Sequence, residues 1–187
     1  PLAPAGGALS PIIAATETAT PGKVAVSLTR LGGVGTSLRV GGVEVLQTAA
    51  ATATLYLPAG ASTIEARALL AGGGLTAPHA PGTATITLAT GYVPPAPSVE
   101  AQRLGGSLFV DAQAEGAIAY TVTAQAGDEP PVAVEGDVAW PAHLPARVVA
   151  TATGAGGVSN ATTVLVPAVR SAAPLLEQGL HPRLALV

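Results

Sequence analysis

The chain is expected to be all-β, with two tandem antiparallel β-sandwiches and extended terminal arms. Three observations predict this. The first is a passage that occurs twice: LYLPAGASTIEARALLAGGGLTAPHAPGTATITL at residues 55–88 and WPAHLPARVVATATGAGGVSNATTVLV at residues 140–166. Each copy has a Leu-Pro-Ala entry (57–59 and 144–146), a strand alternating small apolar and polar residues, an Ala-Gly-Gly turn and a Thr-rich closing strand. One β-hairpin unit present twice in a chain implies two copies of one small domain. The second is the punctuation: 23 glycines and 17 prolines break the chain into short segments that keep a period of two. The third is length. A chain of 187 residues accommodates two domains of roughly 75 residues each with short ends.

The elements follow in order. Residues 1–22 are rich in Ala, Pro and Gly and read as an arm, with Ile12 and Ile13 as a first edge strand. The first sandwich is expected over 23–92. Val24, Val26 and Leu28 point one way and Lys23, Ser27 and Thr29 the other, the alternation of a half-buried strand. Gly32-Gly33 reads as a hairpin turn, and Gly41-Gly42 as a second turn beyond a strand holding Leu38 and Val40. Val43 and Val45 continue the alternation, followed by Ala53, Leu55 and Leu57, then Ile64, Ala66 and Ala68 inward, and finally Ala84, Ile86 and Leu88. About seven strands in such a stretch is the number of an immunoglobulin-like sandwich.

Val93-Pro94-Pro95-Ala96-Pro97 is the expected linker, because prolines at this density favour a semi-rigid extended spacer. The second sandwich is expected over 98–167. It begins with Val99 and Ala101, then Leu108 and Val110, then a strand with Ile118, Tyr120, Val122 and Ala124 on one face. Short strands near 132–134 and 138–140 precede the repeated hairpin, whose inward residues are Val148, Ala150 and Ala152, then Thr162, Val164 and Val166. Residues 168–187 leave the pattern and read as a C-terminal arm, with one helical turn at 174–180.

The strand, Leu-Pro-Ala, strand, Ala-Gly-Gly, strand unit resembles the E–F–G region of bacterial and phage immunoglobulin-like, or fibronectin type III-like, domains. The matching pieces are 57–68 with 83–88, and 144–153 with 156–166. Ile64 and Val148 stand where such domains often carry a strand-F tyrosine, cysteine is absent, and Trp140 lies outside the strand that carries a core tryptophan in antibody-type domains. The resemblance implies a class whose members are spacers, adhesins and virion appendages, including structural proteins of tailed bacteriophages.

Composition narrows the function. Charged residues make up 10% of the chain, aromatic residues 3% and apolar residues 49%, against about 25% charged in ordinary soluble domains. The cores are therefore thin and built from small side chains. The net charge is −3, with one lysine, Lys23, and seven scattered arginines, so no basic stripe exists to neutralise phosphates and no nucleic-acid partner is expected. No run of 18 apolar residues occurs, so no membrane span is expected. The Pro1-Leu2-Ala3-Pro4 start, in a chain without methionine, reads as one that initiator-methionine removal would leave, and synthesis in a host cytoplasm without a signal peptide is expected.

No residues converge on chemistry, and none is assigned a catalytic, cofactor-binding or metal-binding role. His79, His143 and His181 sit in three separate regions and read as solvated loop residues. Asp128, Glu129, Glu135 and Asp137 form the one acidic concentration, but lack the spacing of a calcium loop. The segment 32–37 has glycines like a phosphate loop but lacks its lysine and its helix. Asn160-Ala161-Thr162 matches a glycosylation acceptor, and Tyr56, Tyr92, Phe109 and Trp140 read as packing residues before sugar platforms.

The expected function is that of a non-enzymatic structural protein of a tailed-bacteriophage or phage-like particle: a capsid decoration, head-fibre or tail-attached protein. The alternative is a bacterial cell-surface adhesin or carbohydrate-binding module. The expected partner is the major capsid or tail protein of the same particle, reached through the terminal arms, with weak host-surface or glycan contact besides. No cofactor is expected, and the expected location is the virion.

Overall fold

Residues 9–70 and 81–169 are described by the structure, a computed structural model. Every regular element among them is a strand. The first seven are β1 (Leu9–Glu17), β2 (Lys23–Leu31), β3 (Gly35–Val40), β4 (Val43–Thr48), β5 (Thr52–Tyr56), β6 (Gly60–Leu69) and β7 (Gly82–Leu88). They form two sheets, one of order β1-β2-β5 and one of order β4-β3-β6-β7. Side chains from both meet in one core: Val24, Val26 and Leu28 of β2 with Leu55 of β5 from the first sheet, Leu38, Ile64, Ala66 and Leu88 from the second. A three-stranded and a four-stranded antiparallel sheet sharing one apolar layer make a fibronectin type III-like, immunoglobulin-like sandwich.

The alternating pattern sets the faces. In β2 the buried residues fall at every second position, and in β6 Ser62, Ile64, Ala66 and Ala68 do the same. Gly41 and Gly42 both have positive φ, 57° and 83°, and join β3 to β4 through a two-residue turn with Val40 opposite Val43. Both central residues of such a turn need positive φ, which glycine adopts without strain.

Two expectations need correction here. The glycines at 32–33 do not close a hairpin, because β2 and β3 belong to different sheets. The turn carries the chain from one layer to the other, and the backbone N–H of Val34 bonds to the carbonyl of Leu69 at 2.8 Å. Val43 and Val45 do not continue an inward face, since both are exposed. β4 is an edge strand, and the register with β3 shifts between Leu38 and Arg39, leaving Val45 as the extra residue of a bulge.

The remaining strands are β8 (Ser98–Leu104), β9 (Ser107–Gln113), β10 (Ala119–Gln125), β11 (Val132–Ala133), β12 (Asp137–Ala139), β13 (Ala146–Gly154), β14 (Gly157–Val158) and β15 (Thr162–Val166). One sheet has the order β12-β9-β8; the other runs β11-β10-β13-β14, with β15 also paired to β13. With β14 set aside as part of the last turn, this repeats the strand order of the first seven. Each Leu-Pro-Ala passage then precedes the sixth strand of its set, β6 or β13. The second core gathers Leu108, Ala124, Val134, Trp140, Ala146, Val148 and Val166. Arg103 donates to the carbonyls of Pro141 and Leu144, pinning the turn before β13.

β10 differs at its start from the expected inward face. Ala124 is fully buried, yet Ile118 and Tyr120 are 74% and 41% exposed. Ile118 precedes the strand, and the Tyr120 hydroxyl is taken up by the backbone N–H and carbonyl of Ala114.

The chain forms two compact units. Unit 1 comprises Pro1–Ser98, Ala112–Thr121 and Ala150–Thr162, and unit 2 comprises Val99–Asp111, Val122–Val149 and Thr163–Val187. Pro94 and Pro97 of the expected spacer are buried within unit 1, and the Pro97 carbonyl accepts the Thr162 hydroxyl at 2.6 Å.

Candidate functional site

The best-organised polar cluster lies in unit 1, around Tyr92. β2 begins at Lys23 and β5 ends at Tyr56, and the two residues are register partners. Their side chains therefore leave the sheet side by side, with the Lys23 ammonium 6.0 Å from the centre of the Tyr56 ring. The Tyr56 ring lies 4.5 Å from that of Tyr92, tilted by 48°, within the range of favourable aromatic pairs.

Glu115, on the turn between β9 and β10, closes the cluster. Its Oε1 accepts from Lys23 Nζ at 2.7 Å and from the Tyr56 hydroxyl at 2.8 Å, and its backbone carbonyl accepts from the Tyr92 hydroxyl at 3.0 Å. The charges respond as these contacts require. The hydrogen bond from Lys23, then that from Tyr56, holds the Glu115 carboxyl below its ordinary range. The hydrogen bond to Glu115 raises Lys23. Burial, followed by the bond to Glu115, pushes Tyr56 up to about 12, and burial with the nearby carboxylate raises Tyr92.

The backbone around Tyr92 is held as tightly. Its N–H bonds to the Leu57 carbonyl at 2.9 Å, and its own carbonyl accepts from Gly156 N–H at 2.7 Å. Gly91 and Gly156 approach so closely that a β-carbon on Gly156 would stand 2.1 Å from the Gly91 carbonyl carbon. Glycine is required there by space, whatever its conformation. In this copy of the repeat, the Ala-Gly-Gly turn provides that close approach.

Chemically the cluster is closed. The carboxylate is ionised, the lysine protonated and both phenols neutral, and the ammonium and both phenol hydroxyls donate to Glu115. It fixes backbone segments; it does not poise a proton or a nucleophile for reaction.

A second polar group lies on the β4-β3-β6 face. Ser37, fully buried, donates to Glu44, which also accepts from Gln47 at 2.8 Å, and these bonds lower the Glu44 carboxyl. Arg67 and Glu65 stand 3.7 Å apart beside them.

The residues singled out from sequence are dispersed. His143 is exposed, and His79 and His181 lie outside the described residues, as does the helical turn expected at 174–180. Asp128, Glu129, Glu135 and Asp137 are all exposed. Among the described residues, no group of three or more His, Cys, Asp or Glu is placed to hold a metal ion, and no helix is long and apolar enough to cross a membrane. Asn160 is exposed in the loop before β15. Of the aromatic residues, Tyr92 and Trp140 are buried, while Phe109 is 36% exposed. Phe109 lines an open recess of about 730 Å³ in unit 2, together with Glu100, Asp111, Asp137 and Val164.

The Lys23–Tyr56–Tyr92–Glu115 cluster was not found from sequence. Its members are separated by up to 92 positions, and their meeting depends on β2 pairing with β5 within one sheet. The signal available was the chain's single lysine at the head of a strand.

No family model matches the chain, and no curated protein matches it. Among solved structures it is similar to a two-domain fibronectin type III segment of chicken tenascin, with 14% identity over 84% of this chain and 98% of that one, at a TM-score of 0.36. It is also similar to the FN1–FN3 domains of chicken CNTN1, with 12% identity over 85% of this chain and 69% of that one, at a TM-score of 0.30. The fold assignment rests on the chain's own strand order and cores.

Proposed function

We propose that this chain is a non-enzymatic structural protein of a tailed-bacteriophage or phage-like particle. In this role it is a capsid decoration, head-fibre or tail-attached protein, held to the major capsid or tail protein by a terminal arm. The observation that carries the proposal is the use made of the best-formed ionic cluster: Lys23, Tyr56 and Tyr92 are committed to Glu115 and hold backbone in place. Sparse charge, at 10% of the chain, and two small sandwiches suit a rigid appendage whose contacts are with protein. Residues 1–8 precede β1 in the chain. The test is particle incorporation of chains lacking 1–8 or 170–187 compared with the full chain. Loss of incorporation by either supports attachment through an arm, and full incorporation by both rejects it.

A second reading, contact with a glycan, is favoured by the exposed Phe109 ring beside Asp111 and Asp137 in its recess. Aromatic faces next to carboxylates suit stacking on a sugar ring with hydrogen bonds to its hydroxyls. Glycan-array binding that Phe109→Ala abolishes would favour this second reading.

A further inference from the structure

The outer side of β4 pairs with no strand among the described residues. Several other edges are too short or too close to a neighbour to take a partner. β11 and β12 run for two and three residues. β1 and β7 lie against each other, so that a β-carbon on Gly82 would stand 1.8 Å from the Pro11 carbonyl oxygen. β4 runs for six residues, VEVLQT, with no proline or lysine to blunt it. Val43 and Val45 are 66% and 48% exposed, and Val45 lines an open recess of about 470 Å³ with Leu55, Leu57 and Ile118. Unpaired backbone donors and acceptors beside exposed aliphatic side chains form a template for another strand.

We propose that this strand is β4 of a second copy of the chain, paired antiparallel about a two-fold axis between Val45 and Leu46. The register follows from the faces of β4. Val43, Leu46 and Thr48 stand opposite Val40, Leu38 and Thr36 on one face, and Glu44 and Gln47 stand opposite Arg39 and Ser37 on the other. Cross-strand pairs must share a face. Placing Val43 opposite Thr48 of the second copy meets this condition and sets Glu44 opposite Gln47. A shift of one residue either way breaks the match. Charge agrees with the register. Glu44 is the one charged residue of β4 and already accepts from Gln47 of its own strand at 2.8 Å. Across the axis carboxylate meets amide twice, and no like charges face each other. The bulge residue Val45 falls beside the axis, so the pairs at either end keep their register. Six residues a side is below the size of a standard interface, so the dimer is expected to depend on concentration. The inference is independent of the particle reading.

Sedimentation velocity of the full chain over a range of concentrations tests it, with circular dichroism to verify that each variant is folded. The parent is expected to pass from monomer to dimer as concentration rises. Val45→Lys sets two ammonium groups beside the axis and should stay monomeric where the parent is dimeric. Mixing Val45→Lys with Val45→Glu should restore the dimer. The chain has no cysteine, so Val43→Cys mixed with Thr48→Cys should form a disulfide-linked dimer on mild oxidation, faster than either variant alone. A parent that is monomeric throughout overturns the proposal. So does a Val45→Lys chain that still dimerises, or a cysteine mixture that links no faster than its components, because the contact then lies on another surface.

Discussion

Replacing Gly156 by alanine tests the packing around Tyr92 most sharply. The new β-carbon would stand 2.1 Å from the Gly91 carbonyl carbon and 2.3 Å from its oxygen. These are backbone atoms, so no side-chain rotation relieves the contact. Forcing one segment away should cost ~1–3 kcal/mol, as for overpacked sites. The shift also strains the 2.7 Å bond from Gly156 N–H to the Tyr92 carbonyl, worth a further ~0.5–1.5 kcal/mol. The total expected loss is about 1.5–4.5 kcal/mol in unit 1. Gly106→Ala is the control, because nothing lies within 4 Å of its added β-carbon, and it should change stability by less than ~0.5 kcal/mol. Urea denaturation followed by far-UV circular dichroism and tyrosine fluorescence reads unit 1, while Trp140 fluorescence reads the core of unit 2. A Gly156→Ala protein as stable as the Gly106→Ala control would refute the close approach and the clamp built on it.

Three more outcomes are expected. Glu115→Gln should flatten the acid limb of stability: its folded-state carboxyl is lowered from 4.5, so its contribution is present above that value and fades as pH falls through the lower one, which pH-dependent urea titration measures. On the alkaline side, Tyr56 is raised from 10.0 to about 12, so its contribution is present below 10.0 and lost as pH rises through about 12; Tyr56→Phe should remove part of that loss in the same titration. Leu108→Ala should lower the Trp140-reported transition by about 2–5 kcal/mol, whereas Val43→Lys on the exposed edge strand should stay within ~0.5 kcal/mol of the parent by denaturant titration.

The strands were readable because alternation carries the burial directly. Val24, Val26 and Leu28, or Val148, Ala150 and Ala152, show their inward face at every second residue. What the alternation cannot express is the sheet to which the next strand belongs. The glycines at 32–33 look like those at 41–42, yet one pair crosses between sheets and the other closes a hairpin. The difference lies in contacts such as Val34 with Leu69, far apart in sequence. Burial at strand ends was misread for a similar reason: Ile118 and Tyr120 continue a pattern that the core has stopped covering. The Tyr92 cluster was hidden more deeply, since each member is an ordinary residue until topology brings Lys23 opposite Tyr56 and Glu115 beside both. The repeated Ala-Gly-Gly was visible as a turn, but the need for Gly156 to lie against Gly91 was not.

The central functional claim is tested most directly by quantitative mass spectrometry of density-gradient fractions from lysates of the source organism. The account predicts that the chain co-sediments with a shell or tail protein at a fixed stoichiometry that survives washing in high salt. Recovery of the chain only as free protein, or with the cell envelope and no particle, would contradict it.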